Sequence, residues 1–200
     1  MDPVLARVEQ FRREHFAGQL SALPVDVFTV AELDLRLDII PFDDLFAKYG
    51  LDAMLLQDFT GIYIDAETYQ YLEHGPVWKQ KRLRFTFAHE LGHYVLHRAE
   101  AKQQHFPDFA AFFCWMQADT PTRRRIEYEA NRFAGRLLVP LDRLTADFAD
   151  FRVKAAAFDP NWQTRQDFRR AFAERLSDRY GVNAQVIETS LDQENIWPSQ

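Results

Sequence analysis

The sequence predicts an α+β fold, with a small sheet in its N-terminal half and helices elsewhere. Three observations point that way. Period-two alternation is confined to residues 38–65 and is clearest in Gly61-Ile62-Tyr63-Ile64-Asp65. Apolar residues three and four apart mark the segments before and after it. The 200 residues also include 18 Phe, 7 Tyr and 4 Trp, large side chains that suit one sizeable core. That length fits one domain or one domain plus an appendage. The expected division is a domain over 1–142 with a small sheet and an N-terminal helix, and a helical C-terminal extension over 143–200.

Taken in order, Val4, Leu5, Val8 and Phe11 predict a first helix over 3–20. A second should start near Pro24-Val25-Asp26 and run through Leu35. Asp38-Ile39-Ile40-Pro41-Phe42 reads as a short strand, and 53–57 with 61–65 as a hairpin. Leu83 to Arg98 is apolar or weakly polar nearly all round, which suits a buried helix. Residues 99–119 read as irregular and Phe-rich. Thr120-Pro121 starts a helix, with a capping hydroxyl and Pro at the first helical position, that should end near Val139 before Pro140. Further surface helices are expected over 141–157, 162–180 and 183–193.

Composition excludes several classes of function. A net charge of −6 argues against bulk nucleic-acid binding, and 7 Gly leave little for a glycine-cradled nucleotide site. Cys114 alone permits no internal disulfide and no thiolate zinc cluster. Met1-Asp2-Pro3-Val4 lacks a signal-peptide pattern. The longest apolar run, Phe109 to Met116, is eight residues, whereas a membrane span needs about 20. A soluble, cytoplasmic protein is expected.

Chemistry concentrates in His89-Glu90-Leu91-Gly92-His93, an H-E-x-x-H pattern on the predicted buried helix. The pattern would occur in roughly one random shuffle in a hundred, so helical context matters. His89 and His93 lie about 40° apart and one turn apart in height, so their imidazoles can converge on one Zn²⁺. Glu90, about 60° round from His93, can act on a water without ligating. This is the arrangement of a metal-dependent hydrolase. A third ligand is needed. His97 is about 12 Å along the axis from His89, too far to join both histidines, and reads as packed or supporting. Glu127 is preferred, because its helix face also carries Ala130, Asn131, Ala134 and Leu138. Small residues there permit close approach, as does Gly92, and Asn131 could orient His89. Glu129 points about 200° away and reads as a surface ion-pair residue.

Two stretches, Arg84-Phe85-Thr86-Phe87-Ala88-His89-Glu90-Leu91-Gly92-His93-Tyr94-Val95-Leu96-His97 and Glu127-Tyr128-Glu129-Ala130-Asn131-Arg132-Phe133-Ala134 through Leu137-Leu138-Val139-Pro140, resemble the ImmA/IrrE family of metallopeptidases. The resemblance covers roughly residues 22–142. It implies a zincin-like fold, one zinc per chain held by His89, His93 and Glu127, and Glu90 as general base. It also implies a protein substrate, a DNA-binding repressor of the helix-turn-helix class or an antitoxin, in stress or mobile-element regulation. Many relatives carry an N-terminal helix-turn-helix domain, for which about 20 residues are too few. Residues 175–187 resemble a helix-turn-helix but are mixed in charge and read as support. Arg123-Arg124-Arg125 reads as a solvated charge run, so direct nucleic-acid contact is not expected. The aromatic spacer 105–116 reads as core before cover. Tyr63, Tyr94, His74, His97 and His105 are open candidates to stabilise an oxyanion. A substrate strand is expected to pair near Gly61–Asp65. The alternative is a zinc-containing module that acts on a repressor by stoichiometric contact.

Overall fold

The computed structural model describes residues 2–20, 22–101 and 106–198. In chain order it has α1 (Pro3–His15), α2 (Val27–Thr29) continued by a π turn (Val30–Asp34), β1 (Asp38–Phe42), α3 (Leu45–Tyr49), β2 (Ala53–Leu55) and β3 (Gly61–Asp65). The helices α4 (Ala66–His74), α5 (Val77–Ala101), α6 (Phe109–Gln117), α7 (Pro121–Leu138), α8 (Leu141–Phe158), α9 (Gln166–Tyr180) and α10 (Ala184–Gln193) follow, with a 3₁₀ turn at Trp162–Thr164. The α+β architecture, mostly helical with one three-stranded sheet, is as the sequence predicts.

The strand order is β1-β3-β2, with β1 parallel and β2 antiparallel to β3. β3 is therefore central, and both its edges are already hydrogen-bonded. A substrate strand has no edge to add to at Gly61–Asp65; the edge beside α5 belongs to β2. The predicted hairpin is present, but its order in the sheet is not local information, because β1 takes the far side of β3 from beyond the turn.

Sequence reading missed α3 and α4, and Asp65 explains both. Its buried carboxylate accepts from Thr68 N at 3.0 Å, capping α4, and from Phe46 N at 2.9 Å in the first turn of α3. These bonds outweigh its burial and hold its carboxyl below the usual range. α6 replaces the irregular stretch expected there: Asp108 caps it through Ala111 N at 2.8 Å. α7 begins as predicted, with Thr120 Oγ1 accepting from Arg123 N at 3.2 Å and Pro121 at N1.

The core centres on α5 against α7. Leu83, Phe87, Ala88 and Leu91 of α5 and Phe133, Ala134, Leu137 and Leu138 of α7 are fully buried. Behind α7 lie α1 and α10. Asp2 and Glu9 pair with Arg132 and Arg136 at 3.2 and 3.0 Å, and Glu194 reaches the same two arginines at 3.7 and 3.5 Å. A second aromatic cluster, built on Phe148, Phe151, Trp162, Phe172 and Trp197, holds the C-terminal helices together. Much of the aromatic surplus therefore packs there, at a distance along the chain from the H-E-x-x-H helix. No helix among the described residues is long and apolar enough to cross a membrane.

Candidate metal centre

α5 and α7 touch almost backbone to backbone. A Cβ at Gly92 would lie 3.0 Å from Ala130 Cα and 3.2 Å from Phe133 Cβ, so only glycine allows this approach without a shift. The contact brings Glu127 over the two histidines. The Nε2 atoms of His89 and His93 are 3.0 Å apart, Glu127 Oε2 is 3.2 Å from His89 Nε2, and Glu127 Oε1 is 3.5 Å from His93 Nε2. Four donors about 2.0–2.1 Å from a tetrahedral ion are spaced about 3.3 Å from one another. The three observed separations straddle that value, so the donor set fits a Zn²⁺-sized ion. Among the described residues, His89, His93 and Glu127 are the group of His, Cys, Asp or Glu side chains able to hold a metal.

The distal ring nitrogens fix which atoms face the point where the three donors converge. His89 Nδ1 is 3.0 Å from Asn131 Oδ1, the partner the helix spacing predicts. His93 Nδ1 is 3.1 Å from His97 Nδ1, and His97 Nε2 is 3.0 Å from Glu129 Oε2. Glu129 is held below the usual carboxyl range, the hydrogen bonds from His97 and Arg125 outweighing its burial, so it can only accept. Burial keeps His97 neutral, against the pull of Glu129. His97 must then donate from Nε2 and accept at Nδ1. That obliges His93 to donate from Nδ1 and leaves its Nε2 bare for a metal. Glu129 is thus a correction: it does ion-pair with Arg125 at 2.8 Å, yet it also anchors a chain through His97 that reaches His93. Helix geometry separated it from Glu127 correctly but gave no sign of its second partner, His97 on α5.

The charges favour a cation at the centre. Burial and a hydrogen bond compete at Glu127, where His89, His93 and Arg123 prevail and hold the carboxyl at about 2. Burial lowers His89, but Glu127 and Glu90 outweigh it and raise it above its ordinary value. Burial and the neighbouring His89 charge depress His93 well below its ordinary value. Glu90 is only 8% exposed, and burial pushes its carboxyl up to about 7. Its Oε2 accepts from Leu55 N at 2.8 Å, which ties it to β2.

Two contributors were missed from sequence. One is that Leu55 N–H, a backbone group with no sequence signal. The other is Arg123, read as part of a solvated run but only 8% exposed. It pairs with Glu127 one turn along α7, lies 4.4 Å from the Trp115 ring and donates from Nε to Met116 O at 3.3 Å. The i, i+4 spacing to Glu127 was the available signal. These residues line a cavity of about 220 Å³ between β2, α5, α6 and α7. Of the oxyanion candidates, His97 lines it and is already engaged; Tyr63, Tyr94 and His74 are not among its walls. His105 lies outside the described residues.

A buried H-E-x-x-H helix, completed by a carboxylate from a neighbouring helix beside a small sheet, is compatible with a zincin-type peptidase site. Comparison with known families agrees. The IrrE N-terminal-like peptidase domain matches residues 79–192, more than half of the chain, and the protein belongs to that family. A search of curated proteins returns no match.

Replacing His97 with Phe fills its volume and removes the acceptor for His93. The expected result is a 10- to 100-fold loss of zinc affinity with folding retained, measured by competition with a chromophoric chelator. Unchanged affinity would reduce the His97–Glu129 chain to packing.

Proposed function

We propose that the protein is a zinc-dependent endopeptidase with one zinc per chain, held by His89, His93 and Glu127, and with Glu90 as general base. The observation that carries this is the convergence of three donors, at separations that suit a tetrahedral ion, beside a buried carboxylate that ligates nothing. Membership of a peptidase family supports it and implies a protein substrate. Zinc bound there would supply Lewis-acid polarisation of the scissile carbonyl and a more acidic water.

The chain's own groups do the rest. Asn131 and the His97–Glu129 pair hold the two imidazoles in the ligating tautomer. Leu55 N–H fixes one oxygen of Glu90 at the cavity wall. Glu90 would take a proton from the attacking water and return it to the leaving amine, for which a carboxyl poised near neutrality is suited. β2 lines the cavity, so an extended substrate would lie along that strand.

The substrate class that the family resemblance implies is a helix-turn-helix repressor or antitoxin, met in the cytoplasm during stress or mobile-element regulation. Residues 143–200 are proposed as a helical extension that supports the peptidase domain over 1–142. The test is to incubate zinc-loaded protein with a helix-turn-helix repressor encoded beside it. Cleavage by wild type and its loss, by about 10²–10⁴-fold, in a zinc-retaining Glu90→Gln variant is expected. If Glu90→Gln relieves repression as well as wild type does, the protein acts by stoichiometric contact instead.

A further inference from the structure

The cavity at the metal centre is larger and more apolar than the chemistry of hydrolysis needs. Its volume is about 220 Å³. A water takes about 30 Å³, and a cavity of about 150 Å³ accepts benzene. Room therefore remains beside the donors for one side chain as large as a phenyl ring. Among the described residues, the walls away from the donors include Leu51, Met54, Phe112, Trp115, Met116 and Ile126, beside the amides of Gln57 and Gln117. Three of these apolar residues come from α6, the helix formed by the aromatic spacer. Phe112 is almost fully buried and packs against Phe106 at 5.3 Å and Trp115 at 6.3 Å, so this wall is braced.

The charged groups in the cavity have partners of their own. Arg123 is spent on Glu127, Met116 O and the Trp115 ring, and Glu127 on Arg123 and the histidines. A charged substrate side chain pushed against the α6 wall would meet no unengaged charge among the described residues, which is costly. An apolar one would gain the transfer free energy of its buried surface.

We propose that α6 forms a specificity subsite, selecting a large uncharged apolar side chain, such as Phe, Leu or Met, next to the scissile bond. The inference rests on the peptidase reading above and adds the substrate class to it. The spacer is then both core and substrate wall: Phe112 is buried, while Trp115 and Met116 face the cavity.

Zinc-loaded full chain is incubated with a library of unstructured peptides, and the cut bonds are identified by mass spectrometry. Bonds flanked on one side by Phe, Leu or Met should be cut at least ten-fold faster than those flanked by Ala, Gly, Asp or Lys. Met116→Trp should lower the preference for Phe over Ala by at least five-fold, and Phe112→Ala should admit Trp. In parallel, metal-free wild type and Met116→Trp are titrated with indole by methyl NMR, with saturable shifts at Met54 and Ile126 expected in wild type alone. Cleavage without side-chain preference, or a preference that neither variant moves, overturns the subsite and leaves the peptidase standing. Indole binding without cleavage of any peptide overturns the peptidase reading, and the subsite's role falls with it.

Discussion

Glu127→Ala should cost the protein its metal, lowering zinc affinity by about 10²–10³-fold. Zinc held by four protein ligands is bound by about 10–16 kcal/mol, so one ligand's share is about 3 kcal/mol, and each 1.4 kcal/mol is tenfold. A further loss follows from Arg123. Its guanidinium is nearly buried and Glu127 is its acidic partner, so the variant presents an unbalanced positive charge to an incoming dication. The fold should suffer much less. The Glu127 side chain is 40% exposed, and a pair open to solvent on one side contributes about 1 kcal/mol or less. Chelator competition and thermal unfolding of the metal-free protein separate the two effects. Wild-type affinity in Glu127→Ala would remove Glu127 from the ligand set.

Glu90→Gln should make the metal-free protein more stable above about pH 4.5, by a margin that grows with pH and is nearly full at pH 7. The folded carboxyl titrates at about 7 and a free one near 4.5, because burial penalises the ionised form. Folding therefore binds a proton at Glu90. Stability from this group is fully present below about pH 4.5 and is lost as pH rises from there through about 7, costing about 3 kcal/mol by pH 8. Glutamine carries no charge and can still accept from Leu55 N–H. The variant should match wild type near pH 4.5 and unfold roughly 5–10 °C higher at pH 8. Zinc should narrow the gap, since a neighbouring dication favours the carboxylate. Parallel stability curves for the two proteins from pH 4.5 to 8 would show that Glu90 is solvated in the folded state. The same burial that weakens the metal-free protein would give Glu90, as the proposed general base, its poise.

What was legible in the sequence follows periodicity and spacing. The i, i+1, i+4 pattern fixed the relation of His89, Glu90 and His93. The small residues around Glu127 foretold the close contact at Gly92 and Ala130, and Asn131 sits on His89 as its spacing requires. Helix starts with a strong cap, such as Thr120-Pro121, were legible for the same local reason. Less visible were interactions that join distant segments. Asp65 caps α4 and anchors α3 through one carboxylate, whereas alternation suggested only the end of a strand. Arg123 looked like one of three solvated arginines until α6 folded over it. The position of β3 between two partners depends on β1, which no hairpin pattern encodes.

The grip on the rear of α7 bears on what counts as the smallest working unit. Arg132 and Arg136 are held by Asp2, which caps α1, and Glu9 within it at one end of the chain, and by Glu194 just past α10 at the other. Those arginines share a helix with Glu127, so the placement of this proposed metal donor depends on segments more than a hundred residues apart. Both signature stretches could be cut out as one continuous fragment over 77–140. Such a piece would keep every residue proposed to hold the ion and lose the vice that aligns them.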